Sequence, residues 1–439
     1  MPALRKQSLR FTVSRMRKRI GERLEVLRNV RPRSWLIRVS NMSERTDVVF
    51  LSAVRTPFGT YGGTLKDLPV SDLTTVAAKA AIQRAGIEAA DIDSTILGNV
   101  LYTTSDSAYF ARHVALKSGC RQESSALTLN RLCGSGFQSI VSGAHEILLG
   151  DSSVCLTGGA DSMSQAPHVA RVRWGVPLGK TPPLEDVLWS ALTDSYAGLP
   201  MAETAENLAV KYNLDRSCVD EFALRSQHLA RDAWAANAFR DEIVPVPVRN
   251  TRTRQTEMFE KDEHMRPEST LEGLAKLKPV FRENGVVTAG NASGIGDGAG
   301  ALVISSAKFA AERGLKPLGR LISWGIAGVD PKIMGIGPVP ASQKALAKAG
   351  LSLDEIDIIE VNEAFAPQAC AVERELKIPR DKLNRQGGAI ALSHPLAASG
   401  ARITAHLLHT LRAEGKRYGL GSACIGGGQG IALIVEAIN

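Results

Sequence analysis

From residue 47 onward, the chain alternates between short apolar runs and longer stretches with helical spacing. Val48–Val54 and Ser94–Val100 are apolar runs of strand length. Between them, Leu73–Ala85 is rich in alanine at helical spacing, and Gly86 is a stop signal. Strands that alternate with helices are typical of α/β proteins, so the pattern predicts an α/β fold.

This alternating pattern occurs twice. The helix, glycine stop and strand that begin at Ala345 follow the same order as those that begin at Ala81, and SACIGGGQG from Ser422 resembles SVCLTGGAD from Ser153. Chance similarity between two amphipathic helices would explain the first match alone. Two matches at offsets of 264 and 269 residues instead indicate a duplicated unit. We therefore expect two similar halves with the active site between them.

A long segment interrupts the first copy. Residues 166–284 are rich in proline, charge and tryptophan, with helical stretches such as Ser217–Ala236. An insertion of this length typically covers the site and shapes the substrate channel, and the alternative is a surface decoration. The predicted organisation is a first half over 46–316 that contains the insertion, followed by a second half over 317–439.

Length and composition narrow the class of protein. A chain of 439 residues, 44% hydrophobic and 22% charged, is long enough for two hydrophobic cores. It has no apolar stretch of the roughly 20 residues that a membrane span needs. The six cysteines are dispersed and form no C-x-x-C pair, which disfavours a structural zinc site or a disulfide scaffold and favours a reducing compartment.

The net charge of +8 belongs to the N-terminus. Residues 1–41 carry 12 Lys and Arg against Glu22 and Glu25, so the rest of the chain has a net charge of −2. A nucleic-acid-binding protein is therefore not indicated. The basic segment resembles a mitochondrial presequence, which would direct the protein to the matrix. Alternatively, translation starts at Met42 and the protein is cytoplasmic; a nucleic-acid-binding arm is a third, weaker interpretation.

Three glycine-rich turns contain the candidate chemistry. Cys133 precedes Gly134-Ser135-Gly136 and a helical stretch, and a helix N-terminus stabilises a thiolate. His394, in a loop between Gly387-Gly388 and Pro395, could supply the base. Cys424 precedes three glycines, which indicate close backbone approach or an oxyanion site. Two thiols and an imidazole in such turns favour covalent acyl transfer.

One further polar residue follows a predicted strand. Asn362 comes directly after Ile356–Val361, and the carboxyl ends of strands are where α/β proteins bind ligands. An amide there can hold a water or a carbonyl oxygen. Capping of a turn is the alternative role for Asn362.

These motifs resemble those of the thiolases, and especially the mitochondrial-type 3-ketoacyl-CoA thiolases. The resemblance extends over essentially all of residues 46–439 and rests on NRLCGSGFQS, AGNASG, VNEAFAPQ, GGAIALxHP and GSACIGGGQGIA. It implies a duplicated, five-layered αβαβα fold with an inserted loop domain. It also implies no metal or redox cofactor, because CoA and acetyl-CoA are substrates in this family.

The resemblance also implies a role for each motif. Cys133 would be the acyl-carrying nucleophile, His394 would activate it, and Cys424 would be the acid/base that moves the α-proton. A water held by Asn362 would form one oxyanion hole with His394, and the amides of Cys133 and Gly426 would form the second. The resemblance further implies three candidates for the pantetheine channel, which are His168, Ser293 and Phe365.

The implied reaction is acyl-CoA + acetyl-CoA ⇌ 3-ketoacyl-CoA + CoA by ping-pong transfer, in a homodimer or homotetramer. Thiolysis in fatty-acid β-oxidation is the expected direction, and acetoacetyl-CoA synthesis is the alternative. A decarboxylating ketoacyl synthase is disfavoured by the second cysteine, Cys424. An inactive acyl-CoA-binding protein is the more distant alternative, because Cys133 and His394 are both retained. Ser393 keeps it open, since it occupies a position that is usually glycine in this family, and Ala397 and Ala398 also replace commoner glycines.

Overall fold

A computed structural model describes residues 47–249 and 253–438 of the chain. Residues 1–41 and Met42, on which the prediction of cellular location rests, lie outside the described residues. In the part of the chain that the structure describes, no helix has both the length and the apolar character needed to cross a membrane.

Within residues 47–249 and 253–438, the strands fall into one large sheet and three small two-stranded sheets. In chain order they are β1 (Val48–Arg55), β2 (Gly59–Thr60), β3 (Ser94–Gly98), β4 (Ser125–Leu129), β5 (Val154–Ser162), β6 (His168–Val169), β7 (Glu185–Asp186), β8 (Thr193–Asp194), β9 (Leu199–Pro200), β10 (Val246–Arg249), β11 (Thr256–Phe259), β12 (Gly296–Ser306), β13 (Gly319–Gly328), β14 (Ile358–Val361), β15 (Tyr418–Ile425) and β16 (Gln429–Ala437).

The α-helices alternate with these strands along the chain. In order they are α1 (Val70–Ala85), α2 (Phe110–Lys117), α3 (Ser135–Leu149), α4 (Val187–Ala191), α5 (Met201–Lys211), α6 (Arg216–Ala235), α7 (Leu271–Ala275), α8 (Ala307–Glu312), α9 (Pro338–Ala349), α10 (Ala366–Leu376), α11 (Ala389–Leu392) and α12 (Ser399–Ala413).

The elements predicted from periodicity agree with the structure to within a few residues. Helix α1 begins earlier than predicted, at Val70, and ends where expected, because Gly86 adopts the left-handed conformation that closes a helix. The strand predicted over Ser94–Val100 is shorter and ends at Gly98. The α/β prediction is confirmed.

The order of strands in the large sheet is symmetric. It reads β4-β3-β5-β12-β1 in the first half and, in reverse, β13-β16-β15-β14 in the second. Parallel pairs join β3 to β5 and β14 to β15, and the halves meet where β1 pairs with β13. The first half ends in β4, and the corresponding position of the second half has only an isolated bridge from Ile359 to Leu383. This symmetry supports the duplication inferred from the sequence repeats.

Helices form three layers around the two halves of the sheet. Helices α1 and α2 pack on the first half, and α9 and α10 pack on the second. Helices α3 and α12 lie between the halves, where Phe137 and Ile403 share one hydrophobic cluster with Leu302 of β12 and Leu433 of β16. The layers therefore follow the order αβαβα.

The long segment between β5 and β12 packs against the second half. Ala230 of α6 shares a buried cluster with Ala391 and Leu392, and Gln227 Nε2 donates to the carbonyl oxygen of Ile390 at 3.2 Å. The contact lies directly before His394 in the chain, which favours a role beside the site over a surface decoration. The boundaries 46–316, 166–284 and 317–439 stay predictions.

Candidate active site

The loop that carries Cys133 joins β4 to α3 and is held by its own side chains. Asn130 Oδ1 accepts from the amide of Leu132 at 2.8 Å, and Ser135 Oγ accepts from the amide of Arg131 at 2.8 Å. Leu132 has φ of 47°, a left-handed conformation that is strained for a side chain of this size. The loop thereby presents Cys133, which is partly exposed, ahead of the first turn of α3.

Two glycines of this turn allow the second half to approach. A Cβ on Gly134 would lie 2.5 Å from Ile425 Cδ1 at the end of β15, and one on Gly136 would lie 2.6 Å from the carbonyl oxygen of Ala397. Both distances are far below van der Waals contact. Glycine is therefore required at position 136, where the backbone of the His394 loop approaches, whereas a Cβ at position 134 would displace the side chain of Ile425 beside Cys424.

The environment of Cys133 keeps it a thiol in the free protein. Burial raises the pKa of Cys133 to about 12, and the nearby Asp161 carboxyl contributes to the rise. The amides of Gly426 and of Cys133 itself donate to the sulfur and oppose the rise. The two amides that donate here are the pair expected from the resemblance to form an oxyanion hole.

The second thiol, Cys424, lies close to the first. Cys424 is one residue from the end of β15 and fully buried, and burial followed by the proximity of Cys133 raises its pKa. Beyond it, Gly427 and Gly428 both have φ of 81°, which an L side chain rarely adopts. The duplication thus brings one thiol from each half to the same place.

His394 is buried between two polar side chains. Its Nδ1 lies 2.6 Å from Ser399 Oγ, and its Nε2 lies 3.3 Å from Asn362 Nδ2. Ser399 Oγ also donates to the carbonyl oxygen of Pro395 at 3.0 Å, which uses the hydroxyl proton. Ser399 therefore accepts from Nδ1–H, and the lone pair of His394 is on Nε2.

The imidazole of His394 is neutral at ordinary pH. Burial and, to a smaller extent, the positive charge of Arg402 on α12 together lower its pKa to about 3. Arg402 is itself buried and paired with Glu360 of β14 at 3.0 Å. A neutral histidine with its lone pair on Nε2, which here accepts from Asn362 Nδ2 at 3.3 Å, has the form that a general base requires.

Asn362 directly follows β14 and is fully buried. Its backbone amide donates to the carbonyl oxygen of Ser422, which fixes the residue beside β15. Its Oδ1 has no hydrogen-bond partner among the described residues. A buried, unpartnered acceptor next to His394 is suited to bind a water or a substrate group.

The residue before His394 is strained. Ser393 has φ of 87° and ψ of 165°, a region used almost only by glycine. Its hydroxyl donates to the carbonyl oxygen of Gly294 at 3.0 Å, and the amide of His394 donates to the same oxygen at 2.9 Å. The structure thus gives a physical reason why glycine suits this position, and shows how the serine is held.

Two residues that the sequence reasoning missed position the site. One is Ser399, and the other is the fully buried Asp161 at the end of β5. Asp161 Oδ2 accepts from the amide of Ala397 at 2.7 Å, while Oδ1 accepts from the amides of Val100 and Leu101. Its place at the carboxyl end of a strand, beside Gly158-Gly159, was a signal that could have identified it.

An apolar cavity of about 250 Å³ leads to His394. Ser293 and Phe365 line it together with Met201, Phe281 and Leu396. Leu396 packs with Cys133 in one cluster, and Met201 and Phe365 pack with Cys424 in another, so both thiols adjoin the cavity walls.

His168 is elsewhere in this structure. It lies on β6, where its side chain is 61% exposed and 4.0 Å from Asp186, and it is not among the described residues that line the cavity. Its assignment to the pantetheine channel stays a prediction.

Comparisons with known proteins agree with this geometry. The model of the thiolase N-terminal domain matches residues 48–308, and the model of the thiolase C-terminal domain matches residues 315–437. The mitochondrial 3-ketoacyl-CoA thiolase of Homo sapiens is 54% identical over 391 residues, which are 89% of this chain and 98% of the relative. The beta-ketothiolase BktB of Cupriavidus necator is 48% identical over 394 residues, 89% of this chain and 99% of the relative.

A solved structure supports membership of the same family. The human mitochondrial 3-ketoacyl-CoA thiolase in complex with CoA superposes with a TM-score of 0.87 at 53% identity, over 90% of this chain and 98% of that one. Two family models together cover most of the chain, and full-length relatives exceed 45% identity. The chain belongs to the thiolase family, and it is an acyltransferase with the thiolase fold.

Proposed function

We propose that the protein catalyses the reversible, ping-pong thiolysis of 3-ketoacyl-CoA to acyl-CoA and acetyl-CoA. The proposal rests on one observation, which is that groups from both halves of the molecule lie next to the sulfur of Cys133. The amide of Gly426, from the second half, donates to the thiol of Cys133, from the first half. Cys133 is also close enough to Cys424 to raise the pKa of Cys424. The full-length match to a 3-ketoacyl-CoA thiolase supports the same direction.

The first half-reaction makes an acyl-enzyme. His394 Nε2 takes the proton of Cys133, and the sulfur attacks the keto carbon of the substrate. The amides of Cys133 and Gly426 donate to the oxygen that becomes negative. When the bond between the α-carbon and the keto carbon breaks, Cys424 protonates the acetyl-CoA enolate, whose oxygen faces His394 and a water on Asn362.

The second half-reaction transfers the acyl group to CoA. The Cys424 thiolate takes the proton of CoA, the sulfur of CoA attacks the acyl-Cys133 thioester, and Cys133 leaves and recovers its proton from His394. Both thioesters are of similar energy, so the sequence of steps runs in either direction, and acetoacetyl-CoA synthesis is the same chemistry in reverse. No residue in this scheme requires a metal or a redox cofactor.

The cavities give CoA a path to the thiols. The apolar cavity with Ser293 and Phe365 is suited to pantetheine. A second cavity of about 720 Å³ shares Ala289 with it and is lined by Arg266 and Ser269. The nucleotide part of CoA would lie there, with Arg266 near its phosphates.

The activity can be tested on the purified protein with acetoacetyl-CoA and CoA as substrates. We expect release of acetyl-CoA, its loss in Cys133→Ser, and normal turnover in a matched control, Cys120→Ala, which alters a buried thiol outside the site. Cys424→Ala should lose α-proton exchange of acetyl-CoA but still form acyl-Cys133. Full turnover by Cys133→Ser would remove the proposed nucleophile.

Substrate length distinguishes the two candidate physiological directions. A series of 3-ketoacyl-CoA substrates from four carbons upward should give kcat/KM values that rise with chain length if β-oxidation is the physiological role. Activity confined to acetoacetyl-CoA would favour acetoacetyl-CoA synthesis instead. Light scattering would test the predicted homodimer or homotetramer.

We place the protein in the mitochondrial matrix. The basic, acid-poor composition of residues 1–41 and the mitochondrial relative support this location. N-terminal sequencing of the native protein should show a start after removal of the basic segment. A protein that starts at Met42 in the cytoplasm would refute the assignment.

A further inference from the structure

A second pair of thiols lies away from the active site, where helix α6 packs on helix α10. Cys218 is in the first turn of α6, and Cys370 is in the middle of α10. Both belong to the hydrophobic cluster beneath the second half of the sheet, with Cys370 2% exposed and Cys218 partly exposed. The thiols of Cys218 and Cys370 are close enough that each shifts the pKa of the other.

The surroundings of Cys218 favour its thiolate. Nη2 of Arg374, one turn after Cys370 on α10, lies 3.8 Å from the sulfur, and Nη1 of Arg374 is fixed by the carbonyl oxygen of Tyr212. The first turn of a 20-residue helix adds its exposed amides, which Asp215 as cap partly offsets. The nearby thiol of Cys370 lowers the pKa of Cys218 against the effect of burial, and the charge of Arg374 lowers it further, while the proximity of Cys218 and burial raise the pKa of Cys370.

A partly exposed, cation-stabilised thiolate in contact with a buried thiol has the arrangement of a peroxide-reactive cysteine with a resolving partner. We propose that Cys218 and Cys370 form a site of reversible oxidation by hydrogen peroxide, at which Cys218 reacts first and Cys370 closes an intramolecular disulfide between α6 and α10.

The chemistry is balanced. The Cys218 thiolate attacks one oxygen of hydrogen peroxide, the O–O bond breaks, and with one proton the products are Cys218 sulfenic acid and water. The Cys370 sulfur then attacks the sulfenic sulfur, its proton leaves with the hydroxyl group as a second water, and the S–S bond forms. Two thiols are oxidised and one peroxide is reduced to two waters, and a dithiol reductant reverses the reaction.

The bond would join the inserted segment to the second half of the molecule beside the substrate cavity. Asp220, half a turn after Cys218 on α6, accepts from Asn291 Nδ2 at 2.8 Å. The neighbouring residues Thr288, Ala289 and Ala292 line the cavity. Helix α10 begins four residues after Asn362. The disulfide thus connects the two elements that hold neighbouring segments of the cavity wall, since Ala292 pairs with Phe365 directly before α10.

The test uses the reduced full-length protein and dilute hydrogen peroxide, followed by alkylation of free thiols and tryptic digestion without reductant. Mass spectrometry should find the peptide of residues 217–225 linked to that of residues 349–374. Cys120, a buried thiol whose pKa is raised by burial, is the internal control. We expect Cys218 to be oxidised at least about tenfold faster, as each unit of pKa changes the thiolate fraction tenfold.

Variants separate the two roles. Cys370→Ser should trap Cys218 as a sulfenic acid that a dimedone probe labels, and Cys218→Ser should leave Cys370 reduced. Arg374→Gln should slow the oxidation and Arg374→Lys should retain it, which tests the cation without removing a sulfur. The proposal is overturned if Cys218 reacts no faster than Cys120, or if oxidation produces no 218–370 linkage in the wild-type protein.

Discussion

Removal of the Ser399 hydroxyl tests whether the orientation of His394 is set by its Nδ1 partner. In Ser399→Ala, the Nδ1–H of His394 loses its acceptor, which lies 2.6 Å away in the wild type. His394 is only 5% exposed, so water cannot readily replace that acceptor. An unsatisfied buried donor costs about 1–3 kcal/mol. The imidazole escapes this cost by moving its proton to Nε2 or by rotating, and either change removes the lone pair from the position that faces the site.

If the whole cost falls on the transition state, kcat/KM should decrease about 5- to 150-fold, since 1.36 kcal/mol corresponds to a factor of ten. Most of the loss should be in the acylation of Cys133, measured as the rate at which acetyl-CoA labels the protein. Binding of CoA should change little, because Ser399 does not line the cavity of Ser293 and Phe365.

A matched control exists on the same helix. Thr404 is 1% exposed like Ser399, and its hydroxyl makes the same kind of bond, to the carbonyl oxygen four residues earlier, at 2.8 Å. Thr404→Val removes a hydroxyl from α12 without touching His394. If Ser399→Ala retains kcat/KM within twofold of wild type, or loses no more than Thr404→Val, the assignment of Nδ1–H to Ser399 is refuted.

Two further predictions concern charge and backbone strain. Because the pKa of Cys133 is raised to about 12 and that of His394 is lowered to about 3, the free enzyme holds a neutral thiol and a neutral imidazole between these values. The rate of alkylation of Cys133 by iodoacetamide should therefore rise continuously from pH 5 to pH 9, whereas a plateau with a midpoint near pH 6–7 would indicate a thiolate–imidazolium pair. At position 393, where φ is 87°, Ser393→Gly should unfold in urea at a higher concentration than Ser393→Ala, by about 1–2 kcal/mol in unfolding free energy. Equal stability of the two variants would show that the backbone there is unstrained.

Local signals in the sequence were sufficient to predict the helices and strands named in the sequence analysis and the main residues of the candidate site. Apolar runs and glycine stops predicted α1 and its end at Gly86, and the two internal repeats predicted a duplication, which the symmetric strand order supports. Cys133, His394, Cys424 and Asn362 were found because each lies in a short motif at the end of a strand or in a turn. Their catalytic roles stay predictions that the proposed variants test.

The rest depends on contacts between residues that are distant in the chain. Asp161 matters because its carboxylate accepts from Ala397, 236 residues away, and no local pattern announces that bond. The tautomer of His394 follows from whether the Ser399 hydroxyl is free or bound to Pro395. The low exposure of Cys370 beside Arg374 and Cys218 likewise arises only from the packing of α6 on α10.

The two strained residues of the site have a common place in the mechanism. Leu132, with φ of 47°, directly precedes Cys133, and Ser393, with φ of 87°, directly precedes His394. Strain of this kind costs about 1–3 kcal/mol for each residue and persists only where the surroundings hold it. Here they do: Asn130 and Ser135 hold the first loop, and the carbonyl oxygen of Gly294 accepts from both the Ser393 hydroxyl and the His394 amide. The nucleophile and its base are thus positioned by backbone conformations that are fixed before substrate binds, and in both cases the groups that hold them belong to the first half. Little reorganisation therefore remains for the chemical step.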